Sequence, residues 1–151
     1  MLRVGLAGLM ALHGVAHWVG FAVPWRLVQA DEMPYSTEIL SGRIDVGDAG
    51  IRVFGVAWLL LGIAFLHIAV AAWMGRPDWP QLALGVVAAS LVLCVLGLPA
   101  ARVGLRVNAL LLVAILGGWA AGWWCRIRGT GTGRPRSCAR HTRAGSMTSR
   151  A

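Results

Sequence analysis

Residues 53–74 read VFGVAWLLLGIAFLHIAVAAWM. The run contains no Asp, Glu, Arg or Lys. A helix needs about 20 predominantly apolar residues to cross the hydrocarbon core of a bilayer. A surface helix of a soluble domain keeps a polar face for water, and this stretch has none to offer. It predicts a membrane span, and it poses the same question of the rest of the chain.

Three further stretches answer alike. They are residues 4–23, VGLAGLMALHGVAHWVGFAV; residues 81–98, QLALGVVAASLVLCVLGL; and residues 107–125, VNALLLVAILGGWAAGWWC. None contains Asp, Glu or Arg. The chain is 58% hydrophobic over 151 residues, with a mean hydropathy of +0.69. That lies well outside the soluble range. The fold expected is an all-α membrane protein. Residues 1–125 form a bundle of four transmembrane helices, residues 24–52 one long extracytoplasmic loop, and residues 126–151 a disordered basic tail. Helix punctuation fits: Asp48 is placed to cap the second span, Asp78, Trp79 and Pro80 open the third, and Gly97 and Pro99 close it.

The net charge of +8 comes from 14 Lys and Arg residues against six acids, and every one of the 14 is arginine. That usage fits a GC-rich coding source. Seven arginines lie in the tail RIRGTGTGRPRSCARHTRAGSMTSRA, which has no acid and little to bury. Arg126, Arg128, Arg134 and Arg136 are candidate contacts to anionic lipid, at about 1 kcal/mol per arginine near the surface. No nucleic-acid partner is expected, since no aromatics interleave with these arginines. Five of the six acids fall in the first loop. An even number of spans puts both termini on one side, and the arginine-rich side is the cytoplasmic one. The expected location is a bacterial cytoplasmic membrane, with both termini in the cytoplasm. Trp73, Trp79, Trp123 and Trp124 then form an inner interfacial belt, and Trp25 and Tyr35 mark the outer one.

Residues 28–30, VQA, followed by Asp31 and Glu32, resemble a signal-peptidase site. The preceding apolar core exceeds the usual length of about 7–15 residues, so residues 4–23 are read as a span in preference to a cleaved leader. Within the first loop, STEI at 36–39 is expected to start one helical turn capped by Ser36 or Thr37. The loop is read as a cover over the outer helix ends, ahead of a lid or partner-binding loop. Cys94, Cys125 and Cys138 form no CxxC, so neither a disulfide framework nor a zinc site is expected.

His13 and His17 stand four residues apart in the first span, on one helical face. Ionisable groups at membrane depth are costly and point to function. Counting 1.5 Å per residue, His13 lies roughly 15 Å and His67 roughly 10 Å from the inner ends of their helices, so their rings can meet. His13, His17 and His67 are therefore the candidate cofactor-binding residues, for haem iron, another transition metal or a quinone. The plainer reading is interhelical hydrogen bonding, with Ser90 and Asn108 as polar interior contacts. Arg102 and Arg106 flank the fourth span; snorkelling to headgroups is preferred there over binding an anionic ligand. Small-residue pairs (Ala16 and Gly20, Gly85 and Ala89, Gly118 and Gly122) suit close helix approach. No nucleotide-binding, hydrolase or zinc-protease motif occurs, so a self-contained enzyme is not expected.

The run Arg3, Gly5, Gly8, His13, Gly14, His17, Gly20 and Phe21 on a first helix, with three spans after it, resembles the DoxX-like membrane proteins and other small four-span proteins of high-GC bacteria. The resemblance implies an accessory subunit of membrane redox or quinone-linked complexes, and carries over no catalytic residue. The expected function is a non-catalytic subunit or scaffold of a membrane complex, with lipid, other membrane subunits or a second copy as partners. A haem- or quinone-binding redox module using the three histidines is the first alternative, and a small transporter or permease component the second.

Overall fold

The structure is a computed structural model and describes residues 2–29, 31 and 34–120. It holds four long helices: α1 (Leu2–Ala22), α2 (Gly47–Trp73), α3 (Trp79–Leu96) and α4 (Arg102–Ala120). A minimal hairpin, β1 (Glu38–Ile39) and β2 (Ile44–Asp45), lies between α1 and α2. All four helices are long and apolar enough to cross a membrane. By contacts the chain divides into residues 1–115 and residues 116–151. Of the second unit, the described residues are 116–120, the close of α4. The tail with Arg126, Arg128, Arg134 and Arg136, the Trp123 and Trp124 pair, Cys125, Cys138 and Gly122 lie outside the described residues.

Each helix buries one stripe at the helical period. On α1 it runs through Leu6, Met10, His13 and His17; on α3 through Trp79, Ala83, Val87, Ser90 and Cys94. The outward faces are apolar as well. Leu12, Val53, Leu60 and Val113 are 74%, 71%, 61% and 68% exposed. Apolar side chains thus cover the outside of the helices as well as their inside, where His13, His17, Ser90 and Asn108 are buried among them, unlike the polar exterior of a water-soluble bundle.

α1 and α2 come closest where glycine meets glycine. A Cβ on Gly14 would stand 2.9 Å from the carbonyl oxygen of Gly62, and one on Gly62 would stand 2.8 Å from that of Gly14. Only hydrogens fit in that crossing. On the same side of α1 a Cβ at Gly20 would meet the Trp58 ring at 2.7 Å. The expected small-residue pairs fare differently. Ala16 is exposed beside a buried Gly20, and both Gly85 and Ala89 face outward.

The helix ends depart from expectation in instructive ways. α2 begins at Gly47 rather than 53, and α4 at Arg102 rather than 107. A membrane-length apolar run marks what lies in hydrocarbon, and the helix extends beyond it into residues that tolerate water. Asp48 does not cap α2: it sits inside the first turn, and the residue at the cap position is Val46, without a side-chain bond. The Asp45 carboxylate accepts the Gly47 N–H at 2.9 Å instead. That bond, then one from Thr37, holds the Asp45 carboxyl below its ordinary range. Asp78 occupies the cap of α3, again without a side-chain cap bond. Its carboxylate takes Arg76 Nη2 at 2.8 Å, and Arg76 holds it below the usual range. α2 closes on Gly75 at φ +74°, with Arg76 N–H donating to Ala71 and Gly75 N–H to Ala72, a Schellman ending.

The first loop is a hairpin and not a helical turn at STEI. Glu38 pairs with Asp45 and Ile39 with Ile44. The Ser36 hydroxyl accepts the Glu38 N–H at 3.1 Å, a local bond that competes with helix formation. The hairpin tip crosses the end of α3: Leu40 N–H donates to Leu96 at 2.8 Å and Ser41 N–H to Leu98 at 2.9 Å. These carbonyls belong to the last turn of α3 and the residues after it, so the hairpin satisfies groups that the helix leaves open. The hairpin thus lies against the end of α3. Trp79, expected in an interfacial belt, is 1% exposed and belongs to the core, whereas Trp73 is 64% exposed.

Candidate functional site

The candidate site is a polar cluster in the middle of the bundle, built from α1, α3 and α4 and walled by α2. His13, His17, Ser90 and Asn108 are 6%, 2%, 0% and 0% exposed. α1 presents both histidines because i and i+4 share a face, and this face is its buried stripe. α3 presents Ser90 and Cys94 by the same spacing, and α4 brings Asn108 against both.

The bonds run in one direction. A carbonyl oxygen only accepts, so His17 Nδ1, 2.8 Å from the His13 carbonyl, carries a proton. In a neutral ring Nε2 then accepts, and the Ser90 hydroxyl donates to it at 2.9 Å. Ser90 Oγ in turn accepts from Asn108 Nδ2 at 2.8 Å. The second Nδ2 hydrogen reaches Cys94 Sγ at 3.4 Å. The chain Asn108, Ser90, His17, His13 carbonyl therefore closes with neutral groups throughout. Such a network avoids the large penalty of a buried charge.

α2 supplies aromatic packing. The Phe65 ring lies 4.9 Å from His13 and 5.2 Å from His17, and the Trp58 ring lies 4.9 Å from His17. The two histidine rings meet edge to face at 4.5 Å. Among the described residues, three buried side-chain atoms have no hydrogen-bond partner: His13 Nε2, Asn108 Oδ1 and Trp58 Nε1.

His67 is not part of this cluster. It is exposed on α2, near enough to Asp78 to act on its carboxyl. The expected meeting of His67 with His13 fails for a rotational reason. The buried stripe of α2 passes through Gly62, Phe65, Ile68 and Ala69, and position 67 falls outside it. No group of three or more His, Cys, Asp or Glu able to hold a metal ion occurs among the described residues. His17 has both ring nitrogens engaged, which leaves neither free to ligate iron. Sequence reasoning reached four members of the cluster and missed Cys94, Phe65 and Trp58. The spacing of Cys94 from Ser90 was the available signal for the thiol.

No known protein family matches the chain, and no curated protein or solved structure matches it.

Proposed function

We propose that the chain is a four-span integral membrane protein acting as a non-catalytic subunit or scaffold of a membrane complex. The observation that carries this reading is the apolar exterior of four helices long enough to cross a membrane. Val and Leu face outward, and the polar side chains of the cluster are spent on one another. The bonds from Asn108 through Ser90 to His17 join α4, α3 and α1, so the cluster holds helices together, with His13 Nε2 and Asn108 Oδ1 its unpartnered atoms. It also forms a closed knot rather than a polar path, which disfavours transport. The exposure of His67 and the double engagement of His17 disfavour the haem and quinone alternative.

We place the chain in a bacterial cytoplasmic membrane with both termini in the cytoplasm. Charge supports the orientation. The Arg3 guanidinium lies beside Gly75, so Arg3 and Arg76 share one end of the bundle. Arg26, Arg52, Arg102 and Arg106 lie at the other with Asp45 and Asp48, so the orientation rests on the seven arginines of the tail sequence, which follow an even number of spans. The resemblance of the α1 run to DoxX-like proteins points in the same direction, toward an accessory subunit.

Native electrophoresis of gently solubilised membranes, at native expression level, tests the subunit reading. The chain is expected to migrate in an assembly larger than itself. Migration as a lone chain, or a Soret band that shifts on dithionite reduction and vanishes in His17→Ala, would overturn it.

A further inference from the structure

At the end of the bundle capped by the hairpin lies a half-open cavity of about 750 Å³. Its lining is mixed. Arg102 and Arg106 of α4 belong to it, together with the apolar Ile39, Phe54 and Val103. The two arginines stand four residues apart on α4 and so share a face. The ion pairs among the described residues are Arg26 with Asp48 and Arg76 with Asp78, and neither involves these two. Among the described residues, the acidic one of the lining is Glu38 on the hairpin. The charge facing the cavity is therefore net positive.

We propose that this cavity binds the phosphate headgroup and adjoining chain of an anionic lipid, with Arg102 and Arg106 as the headgroup ligands. Three features select that occupant. Two guanidinium forks without carboxylate partners match the oxygens of a phosphate. The volume exceeds what a free phosphate fills and lies in the range of about 300–1,000 Å³ common for pockets of larger ligands. Val103, 69% exposed, and the half-buried Ile39 and Phe54 leave apolar surface in the lining, which a lipid chain covers and an inorganic ion does not. The hairpin contributes Glu38, Ile39, Ser41 and Gly42 to the lining and is held by its bonds to Leu96 and Leu98. The proposal rests on the membrane reading, since a bilayer is the source of the lipid.

The test uses the full chain in a non-ionic detergent, with native mass spectrometry to count retained lipid. Dioleoyl phosphatidic acid is the probe, and dioleoyl phosphatidylcholine the control. Phosphatidic acid is expected to be retained in preference. The double variant Arg102→Ala/Arg106→Ala is expected to lose about thirtyfold in affinity, the usual effect of two arginines at a lipid headgroup. Glu38→Gln removes the acid from the lining and is expected to tighten binding by about fivefold. That gain of function stands even where the double variant folds poorly. Equal retention of both lipids, or no change in Glu38→Gln, would overturn the proposal. Displacement by inorganic phosphate at comparable concentration would also overturn it, in favour of a soluble anion. Alkaline carbonate washing separates the two levels of inference. A chain released to the supernatant refutes the membrane reading, and a chain held in the pellet without lipid preference refutes the lipid site alone.

Discussion

Two histidines that look equivalent in the stretch LHGVAHWVGF have different jobs. His17 bonds through both ring nitrogens, whereas His13 contributes its carbonyl and packs its ring against His17 and Phe65. His13 Nε2 has no partner among the described residues. His17→Phe is therefore expected to lower stability in detergent by about 1–3 kcal/mol, because it leaves the buried Ser90 hydroxyl without its acceptor. His13→Phe is expected to cost under about 1 kcal/mol, since it retains the ring stacking and removes an unsatisfied atom. Chemical unfolding followed by tryptophan fluorescence distinguishes the two. The glycines offer a second contrast. Gly14→Ala forces a methyl against the Gly62 backbone, where nothing can give, and is expected to cost about 1–3 kcal/mol. Gly85→Ala meets no atom within 4 Å and is expected to be neutral or to stabilise the helix by up to about 1 kcal/mol. Composition could not separate these glycines, because a uniformly apolar helix does not announce which face is buried.

The helices themselves were legible because hydropathy registers length directly, and all four fall where charge-free runs occur. Their rotation was not legible. Only the polar residues marked it, so His13, His17, Ser90 and Asn108 pointed correctly inward while His67 misled. It is polar, yet it lies off the stripe of α2 and close to the helix end, where Asp78 is near. The hairpin was hidden for another reason. Leu40 and Ser41 adopt φ of 52° and 59° ahead of Gly42 at 82°, and left-handed backbone at Leu is not suggested by residue type. The start of α2 carries a pH dependence of definite sign. The Asp45 carboxyl is held below its ordinary range by the Gly47 N–H and by Thr37. Its contribution is therefore complete above the ordinary carboxylate pKa of about 3.9, and is lost as pH falls through the lower folded value. Trp25 fluorescence, reporting the loop through its bond to the Arg52 carbonyl, is expected to change on acidification below about pH 4 in the native chain. In Asp45→Asn that component should be absent.

Taken whole, the helices are apolar on the outside as well as within, and their stability in lipid must come from packing and internal hydrogen bonds rather than from apolar burial. The glycine crossing of α1 and α2 supplies the first, and the bonds from Asn108 through Ser90 to His17 supply the second. The scale of such bonds within a membrane is modest, about 0.6 kcal/mol on average and up to about 1.7. The central claim is that this cluster is a lock between helices. A double-mutant cycle between His17 and Ser90, by equilibrium unfolding of the full chain in mixed micelles, tests it most directly. A favourable coupling energy of about 0.6–1.7 kcal/mol is expected between His17→Phe and Ser90→Ala. Strict additivity of the two substitutions would contradict it.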